Sequence, residues 1–255
     1  MDLQLSGKIA LVTGASSGLG RGIAKRLALE GATVIAVARR RPKLESLRDE
    51  ILTAGGAEPG IIVQDVMADD AIARICQQAN ELHGHVDILV NCAGASAPFT
   101  LDTPDEAWNA SMLLNFTRHR ELSHALLPSM IANKWGRIIS ITMVLEPGGI
   151  NGGAVAKAAL NHWAKGLSRV VAEHGVTVNC IGPGRVMNGP LTDGDGIFPP
   201  DVAKKWIEET SRQIPMGRFG QPDELAVAAA FLASPLASYI TGTLVAVDGG
   251  FGHSL

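Results

Sequence analysis

Residues 13–20 read Thr-Gly-Ala-Ser-Ser-Gly-Leu-Gly, and their composition and spacing suit a phosphate-binding task. They follow the apolar run 8–12 and precede residues 21–28, where apolar side chains recur with helical spacing. A glycine turn between a strand and a helix offers unpaired N–H groups and a partial positive charge to a phosphate. Gly14 permits the tight turn, Gly18 allows a pyrophosphate close to the backbone, and Gly20 allows the helix close to the sheet. We therefore predict a dinucleotide-binding turn; the alternative is a glycine-rich turn that binds nothing.

Two arginines follow the next apolar run and could read the rest of such a dinucleotide. Arg39 and Arg40 come where an acidic residue would accept hydrogen bonds from the ribose hydroxyls of NAD. A guanidinium there suits the 2′-phosphate of NADP, because it can form charge-assisted, bidentate hydrogen bonds. The alternative is a solvated charge run before a helix that starts near Pro42. The missing acidic residue favours NADP(H) over NAD(H).

The elements that position these residues alternate between short β-branched runs and amphipathic stretches. This pattern predicts an α/β fold, a Rossmann-type, doubly wound, seven-stranded parallel sheet in a single domain over residues 1–255. The longest predicted helices span Asp105–Ile131 and Ala154–His174. Ligands should bind beyond the carboxyl ends of the strands. The predicted strands are Ile9–Thr13, Thr33–Ala38, Ile61–Asp65, Asp87–Asn91, Arg137–Thr142, Val176–Ile181 and Thr243–Val247.

Composition excludes several classes of partner. The net charge is −3 and the basic residues are scattered, which argues against nucleic-acid and membrane-surface binding. No apolar run approaches the roughly 18 residues of a membrane-spanning helix, and the N-terminus lacks the apolar stretch of a signal peptide. Cys76, Cys92 and Cys180 are odd in number and lack metal-ligand spacing, so we expect no metal site and a cytoplasmic protein.

The order of motifs resembles that of the short-chain dehydrogenase/reductase family, and the resemblance spans residues 5–250. It rests on the Thr-Gly-x-x-x-Gly-x-Gly turn at 13–20, Asn-Cys-Ala-Gly at 91–94, Asn115 within a long helix, and Lys157. Pro183-Gly184 and the Asp-Gly-Gly at 248–250 follow the last two strands. Within the family, the chain resembles the 3-oxoacyl-acyl-carrier-protein reductases.

The resemblance implies a set of cofactor contacts. An Asp-Val pair after the third strand binds the adenine in the family, although Asp65 or Asp69 could instead cap the helix near Asp70. The Asn at 91 ties neighbouring strands together, and Val186 and Asn188 fall where relatives bind the nicotinamide carboxamide. The predicted cofactor-binding residues are Gly14, Ser16, Ser17, Gly18, Leu19, Gly20, Arg39, Arg40, Asp65, Val66, Asn91, Ala93, Gly94, Lys157, Pro183, Gly184 and Val186.

The family pattern breaks where its chemistry resides. Relatives use a Ser after the fifth strand to position the substrate oxygen and a Tyr four residues before the Lys to protonate it. Here Met143 and Gly153 occupy those two positions, and neither can donate a proton at neutral pH. The one tyrosine of the chain, Tyr239, precedes the last strand. The predicted catalytic set is therefore Lys157, Asn115 and a replacement acid.

Several residues could supply the missing groups. Glu146 is the leading candidate for the acid, since it lies in the shortened 143–153 connection; the alternative is a solvated loop glutamate. Asn115 is expected to distort its helix and hold a water near Lys157, or else to lie on an exposed helix face. Thr142 could replace the Ser only if the strand register shifts by one residue. Asn151 could donate a hydrogen bond to a substrate oxygen but cannot titrate.

These observations predict an NADP(H)-dependent oxidoreductase that acts on a carbonyl or hydroxyl group of a small molecule through an atypical site. Two alternatives stay open: a non-redox lyase, elimination or dehalogenation enzyme on the same scaffold, and a catalytically inactive subunit or NADPH sensor. Family members are typically dimers or tetramers, so we expect a homo-oligomer. The substrate pocket is expected to be lined by Ala95–Leu101, Val144–Gly152 and Met187–Pro200, the last read as a mobile loop before a helix near Asp201–Arg212.

Overall fold

A computed structural model describes residues 1–144, 149–187 and 199–253 of the chain. It confirms the predicted α/β fold with a seven-stranded, wholly parallel sheet. The short apolar runs form its strands: β1 (Ile9–Thr13), β2 (Thr33–Ala38), β3 (Gly60–Val63), β4 (Ile88–Asn91), β5 (Gly136–Ile141), β6 (Val176–Pro183) and β7 (Leu244–Val247).

The strand order is β3-β2-β1-β4-β5-β6-β7, which is the doubly wound arrangement. The order reverses between β1 and β4, where Ala10 pairs with Ile88 and Val12 with Val90. A crevice therefore opens beyond the carboxyl ends of these two strands, as such folds require for ligand binding.

The amphipathic stretches form helices on both faces of the sheet. Among the described residues these are α1 (Gly18–Leu29), α2 (Arg41–Thr53), α3 (Ala71–His83), α4 (Asp105–Met112), α5 (Arg118–Ala132), α6 (Gly152–Val171), α7 (Pro200–Ser211) and α8 (Pro222–Ala233). Two apolar clusters of buried residues, one on each face, hold these helices to the sheet.

Three differences from the predicted elements bear on the site. The predicted helix 105–131 is interrupted by a π-helical turn at Leu113–Thr117, between α4 and α5. Strand β3 ends at Val63, so Asp65 lies beyond it in the following turn. Strand β6 runs on to Pro183, because Gly182 and Pro183 pair with Ala246 and Val247 of β7.

Two features are absent from the part of the chain that the structure describes. No helix there combines the length and apolar character needed to cross a lipid bilayer. The same residues contain no group of three or more His, Cys, Asp or Glu side chains arranged to hold a metal ion.

Candidate active site

The glycine turn after β1 is packed so closely that side chains cannot be added to it. Gly14 has φ of +70°, and an ideal Cβ there would lie 3.0 Å from the Ala93 backbone. A Cβ on Gly20 would overlap the Gly14 carbonyl oxygen. Gly18 opens α1 with φ of +54°. A side chain is therefore excluded at Gly14 and Gly20, and Gly18 adopts a left-handed conformation that favours glycine.

Thr13 joins this turn to the second glycine-containing turn, at 91–94. Its Oγ1 accepts hydrogen bonds from the backbone N–H groups of Cys92 (3.0 Å) and Ala93 (3.1 Å). The carboxyl ends of β1 and β4 are thus held together on either side of the crevice. Because Thr13 is buried, its hydroxyl has a structural role, which is to hold the two sides of the crevice together.

The two predicted arginines lie at the rim of the glycine turn. Nη2 of Arg40 donates to the hydroxyls of Ser16 (3.3 Å) and Ser17 (3.1 Å). Arg39 is three-quarters exposed, and its Nη1 lies 3.9 Å from a carboxylate oxygen of Asp65. The Arg40 guanidinium and two hydroxyls therefore lie beside the start of α1, where they favour an additional phosphate, and Arg39 lies near Asp65.

Asp65 does not cap α3, which corrects one of the two predicted roles. Its Oδ1 accepts from the backbone N–H of Met67 at 3.0 Å, which closes a turn directly after β3. Helix α3 begins at Ala71 and its N-cap residue, Asp70, makes no capping hydrogen bond with its side chain. Val66 is partly buried against the core, so Asp65 is the residue of the predicted pair that presents a polar side chain.

The side chain of Asn91 ties β4 to α5 and not to a neighbouring strand, contrary to the prediction. Its Nδ2 donates to the Ser123 hydroxyl at 3.1 Å, and the side chain is buried. Among the described residues its Oδ1 has no hydrogen-bond partner. Only the backbone of Asn91 therefore borders the crevice.

His119 is a residue of this region that the sequence did not single out. Its Nε2 lies 2.6 Å from the Ala93 carbonyl oxygen, which can only accept, so Nε2 carries the proton. Burial, reinforced by the nearby Lys157 charge, lowers the pKa of His119 to about 3. A neutral imidazole therefore fixes the Ala93 carbonyl. The local sequence around His119 does not indicate this contact, because its partner, Ala93, lies in a turn that is distant in the sequence.

Asn115 lies in the π-helical turn, and the expected distortion of its helix is confirmed. The side chain is 1% exposed, so the alternative of an exposed helix face is wrong. Oδ1 accepts from the Ala95 backbone N–H (3.2 Å), and Nδ2 donates to the Ser111 carbonyl (3.0 Å). The π-helical turn thus directs the side-chain amide of Asn115 towards the loop that follows β4.

Lys157 is buried at the centre of the crevice. Its Nζ donates to the Ile141 carbonyl at the end of β5, at 2.6 Å. Burial lowers the pKa of this ammonium group to about 8. An ideal Cβ on Gly94 would lie 3.3 Å from Lys157 Nζ and 2.9 Å from Asn115 Oδ1. Two of the three predicted catalytic residues therefore converge on Gly94, whereas Glu146 lies outside the described residues.

The two positions that depart from the family pattern lie where the matching predicted. Met143 follows β5, and Gly153 is on the first turn of α6, four residues before Lys157. Thr142 is buried and its hydroxyl donates to the Ile181 carbonyl at 3.2 Å, so no register shift brings it into the Ser position. A Cβ on Gly153 would lie 2.9 Å from the Ala95 carbonyl oxygen and 3.1 Å from Ser96 Cα.

The chain after β6 closes the far side of the crevice. The Gly184 N–H donates to the Val247 carbonyl at 3.2 Å, and a Cβ on Gly184 would lie 2.7 Å from Asp248 Cβ. Pro183 ends β6, and Val186 is buried and pairs with Gly220. Asn188 and most of the predicted 187–200 loop lie outside the described residues; the helix predicted after it is α7.

The comparisons with known proteins agree over nearly the whole chain. A family model described as Enoyl-(Acyl carrier protein) reductase matches residues 14–252. The chain is 38% identical over 258 residues to the 3-oxoacyl-[acyl-carrier-protein] reductase FabG of Escherichia coli (strain K12), covering 97% of this chain and 98% of that protein.

Solved structures give the same result. L-sorbose reductase from Gluconobacter frateurii, complexed with NADPH and L-sorbose, superposes with a TM-score of 0.92 at 31% identity and full coverage of both chains. YwfH, an NADPH dependent reductase involved in Bacilysin biosynthesis, gives a TM-score of 0.90 at 32% identity, covering 98% of this chain and 100% of that one. The chain belongs to the short-chain dehydrogenase/reductase family and resembles its 3-oxoacyl-acyl-carrier-protein reductases.

Proposed function

We propose that this chain is an NADP(H)-dependent oxidoreductase that acts on a carbonyl or hydroxyl substrate through a site without the usual Ser and Tyr. The observation that carries the proposal is the crevice itself. A glycine turn with no room for side chains, two rim arginines and a buried Lys157 all open onto it. Of the two solved relatives, one is an NADPH dependent reductase and the other is complexed with NADPH, which supports the same conclusion.

The residues of the crevice fit NADP(H) on steric and electrostatic grounds. Gly14 lies close to Ala93, and Gly20 lies close to Gly14. This packing places backbone groups without side chains where a pyrophosphate would bind. Arg40, held on the Ser16 and Ser17 hydroxyls, would bind the 2′-phosphate together with Arg39. When bound, NADPH supplies the hydride that reduces a carbonyl.

The other predicted contacts divide between the two ends of the cofactor. Asp65, whose Oδ1 accepts from the Met67 N–H and whose Oδ2 lies 3.9 Å from Arg39 Nη1, would accept from the adenine amino group with Oδ2. Lys157 would hold the nicotinamide ribose, and Val186 would border the nicotinamide. Asn115 would orient the Ala95 N–H and hold a water near Lys157.

The proton is the part of the reaction that this site must supply differently. When the carbonyl carbon receives a hydride, the carbonyl oxygen needs a proton, and an acid in the right place accelerates such a step about 10²–10⁴-fold. Neither Met143 nor Gly153 can provide it. We propose Glu146 for this role, on the basis of its position in the connection between β5 and α6.

One observation favours a second candidate, a protein that binds NADPH without catalysing hydride transfer. The Ala95–Ser96 backbone lies against Gly153, so the volume beside that position is partly filled. A chain that had lost its acid and closed this volume would be a sensor or a partner subunit. Homo-oligomerisation and a cytoplasmic location stay predictions from the family resemblance.

The test is NADPH consumption, followed by absorbance, with a panel of carbonyl compounds. Because the relatives include a 3-oxoacyl reductase and a sorbose reductase, the panel contains acetoacetyl thioesters, ethyl acetoacetate and ketoses. We expect turnover with at least one compound, lost in Glu146→Gln with NADPH affinity retained. Tight NADPH binding without consumption by any compound would contradict the oxidoreductase proposal and favour the second candidate.

A further inference from the structure

Gly152 and Gly153 at the start of α6 accommodate the segment that follows β4. A Cβ on Gly152 would overlap the Phe99 ring, and a Cβ on Gly153 would approach the Ala95 carbonyl oxygen to 2.9 Å. Each glycine therefore has a packing partner in residues 94–99, which we call the β4 loop. The absence of a side chain at 153 allows this loop to lie against the helix.

The β4 loop is held in this position at several points. The Phe99 N–H donates to the Ile150 carbonyl at 2.8 Å, and the Phe99 ring meets Trp108 edge-on at a centroid distance of 4.8 Å. Pro98 pairs with Asn151 in an isolated antiparallel bridge. These contacts fix the C-terminal end of the loop against α4 and the residues directly before α6.

Three consecutive residues of the β4 loop contact three polar side chains of the site. Gly94 lies against Lys157 and Asn115, Ala95 donates to Asn115, and the Ser96 hydroxyl donates to Asn151 at 2.9 Å. Since an extended chain spans at most about 3.6 Å per residue, Asn151 borders the same part of the crevice as Lys157.

The orientation of the Asn151 amide follows from its hydrogen bonds. Oδ1 accepts from the Ser96 hydroxyl and from the Ala154 backbone N–H (3.0 Å), so it also caps α6. Two donors on one atom identify that atom as oxygen and direct the amino group away from both. Within residues 1–144, 149–187 and 199–253, Nδ2 of this half-buried side chain has no hydrogen-bond partner.

We propose that Asn151 donates a hydrogen bond from Nδ2 to the oxygen of the substrate carbonyl or hydroxyl group, and that Ser96 holds the amide in position for it. The inference rests on the proposed function, since it names the group that replaces the missing hydroxyl donors in holding that oxygen. An amide cannot transfer the proton, so Asn151 binds and orients the substrate while the acid is a separate group.

The Asn151→Asp variant separates this role from the structural one. A carboxylate still caps α6 and still accepts from Ser96, but it cannot donate. Ser96→Ala removes the group that orients the amide. Asn109→Asp, at an exposed position of α4, makes the same chemical change away from the crevice and serves as the control.

The experiment measures the affinity of ethyl acetoacetate for the full-length protein, alone and with NADP⁺, which cannot deliver a hydride. We expect Asn151→Asp to weaken binding about tenfold and Ser96→Ala about threefold, the range of one neutral hydrogen bond. The melting temperature and the NADP⁺ affinity should match those of wild type and Asn109→Asp. In turnover, the Asn151→Asp loss should appear in KM more than in kcat.

The outcomes distinguish this inference from the proposed function. Equal affinity of wild type and Asn151→Asp for the ester would overturn the role of Asn151, and so would an ester that does not bind wild type. Ester binding that depends on Asn151, in a protein that never consumes NADPH, would refute the oxidoreductase proposal and leave Asn151 as the donor to the bound oxygen.

Discussion

The crevice has a nucleotide side, at β1, β2 and the start of α1, and a substrate side, at the β4 loop and the start of α6. On the nucleotide side, glycines bring backbone against backbone, and two hydroxyls hold an arginine at the rim. On the substrate side, glycines also allow close packing, but there the neighbour is the β4 loop, whose Ser96 contacts Asn151.

The difference shows that glycine has two uses in one site. Gly14 and Gly20 let backbone pack against backbone beside the start of α1, whereas Gly152 and Gly153 admit the β4 loop. The nucleotide side carries the family motif, whereas we propose that the substrate side works without the Ser and Tyr of the family.

The largest effect is expected at Gly20. Gly20→Ala forces a methyl group onto the Gly14 carbonyl, and overpacking against backbone costs about 3 kcal/mol or distorts the turn. We expect NADPH affinity to fall at least about 100-fold, measured by fluorescence titration. Gly166→Ala, a helical glycine of α6 with open space around it, is the control and should bind normally. Similar affinity in both variants would refute the turn as the pyrophosphate site.

The second test concerns Arg40, at the rim of the glycine turn. Arg40→Gln removes the guanidinium that bonds to Ser16 and Ser17, and hydrogen bonds to charged groups contribute about 1.5–3 kcal/mol. NADPH affinity should fall about 10–100-fold while NADH affinity changes little. Arg41→Gln, next in sequence and paired with Glu45, removes the same charge and should leave the ratio intact. An equal loss for both nucleotides would show that Arg40 supports the turn and does not read the phosphate.

The third test is on the substrate side. Gly153→Ala places a methyl group 2.9 Å from the Ala95 carbonyl, which we expect to lower the free energy of unfolding by about 1–2 kcal/mol. Gly149→Ala has open space and should be neutral. Urea unfolding of both variants compares them directly. A Gly153→Ala variant as stable as wild type would mean that the β4 loop does not depend on this glycine.

The smallest effect is a pH dependence from Lys157. Burial lowers its pKa from 10.5 to about 8, so the unfolded chain binds this proton more tightly between those values and stability rises with pH there. From pH 7 to 9 the gain is about 1 kcal/mol. The stability difference between wild type and Lys157→Met should change by this amount and in this direction, measured by urea unfolding. A stability difference between the two proteins that does not change with pH would indicate that the Lys157 ammonium group is exposed to water.

The local sequence pattern was enough to predict most of the fold and the residues of the nucleotide side. Gly14, Gly18 and Gly20 act through their own backbone, and Arg39 and Arg40 follow a strand directly, so short-range sequence carries the information. The strand periodicity was likewise sufficient for the sheet, with errors of a few residues at ends set by pairing, as at Pro183.

The substrate side could be predicted only in part. The sequence predicted that Met143 and Gly153 occupy the Ser and Tyr positions of the family, but not that Ala95 and Ser96 lie against Gly153, because the two segments are more than fifty residues apart. His119 was missed for the same reason, since its partner Ala93 is on another element. The strand tie predicted for Asn91 failed because Ser123 of α5 offered the nearer acceptor.

The most direct test of the central claim is a fluorescence titration of the wild-type protein with NADPH and, separately, with NADH. The glycine turn and the two rim arginines predict micromolar NADPH binding, about tenfold or more tighter than NADH. Failure of both nucleotides to bind at millimolar concentration would contradict the account, because the crevice would then not be a nucleotide site.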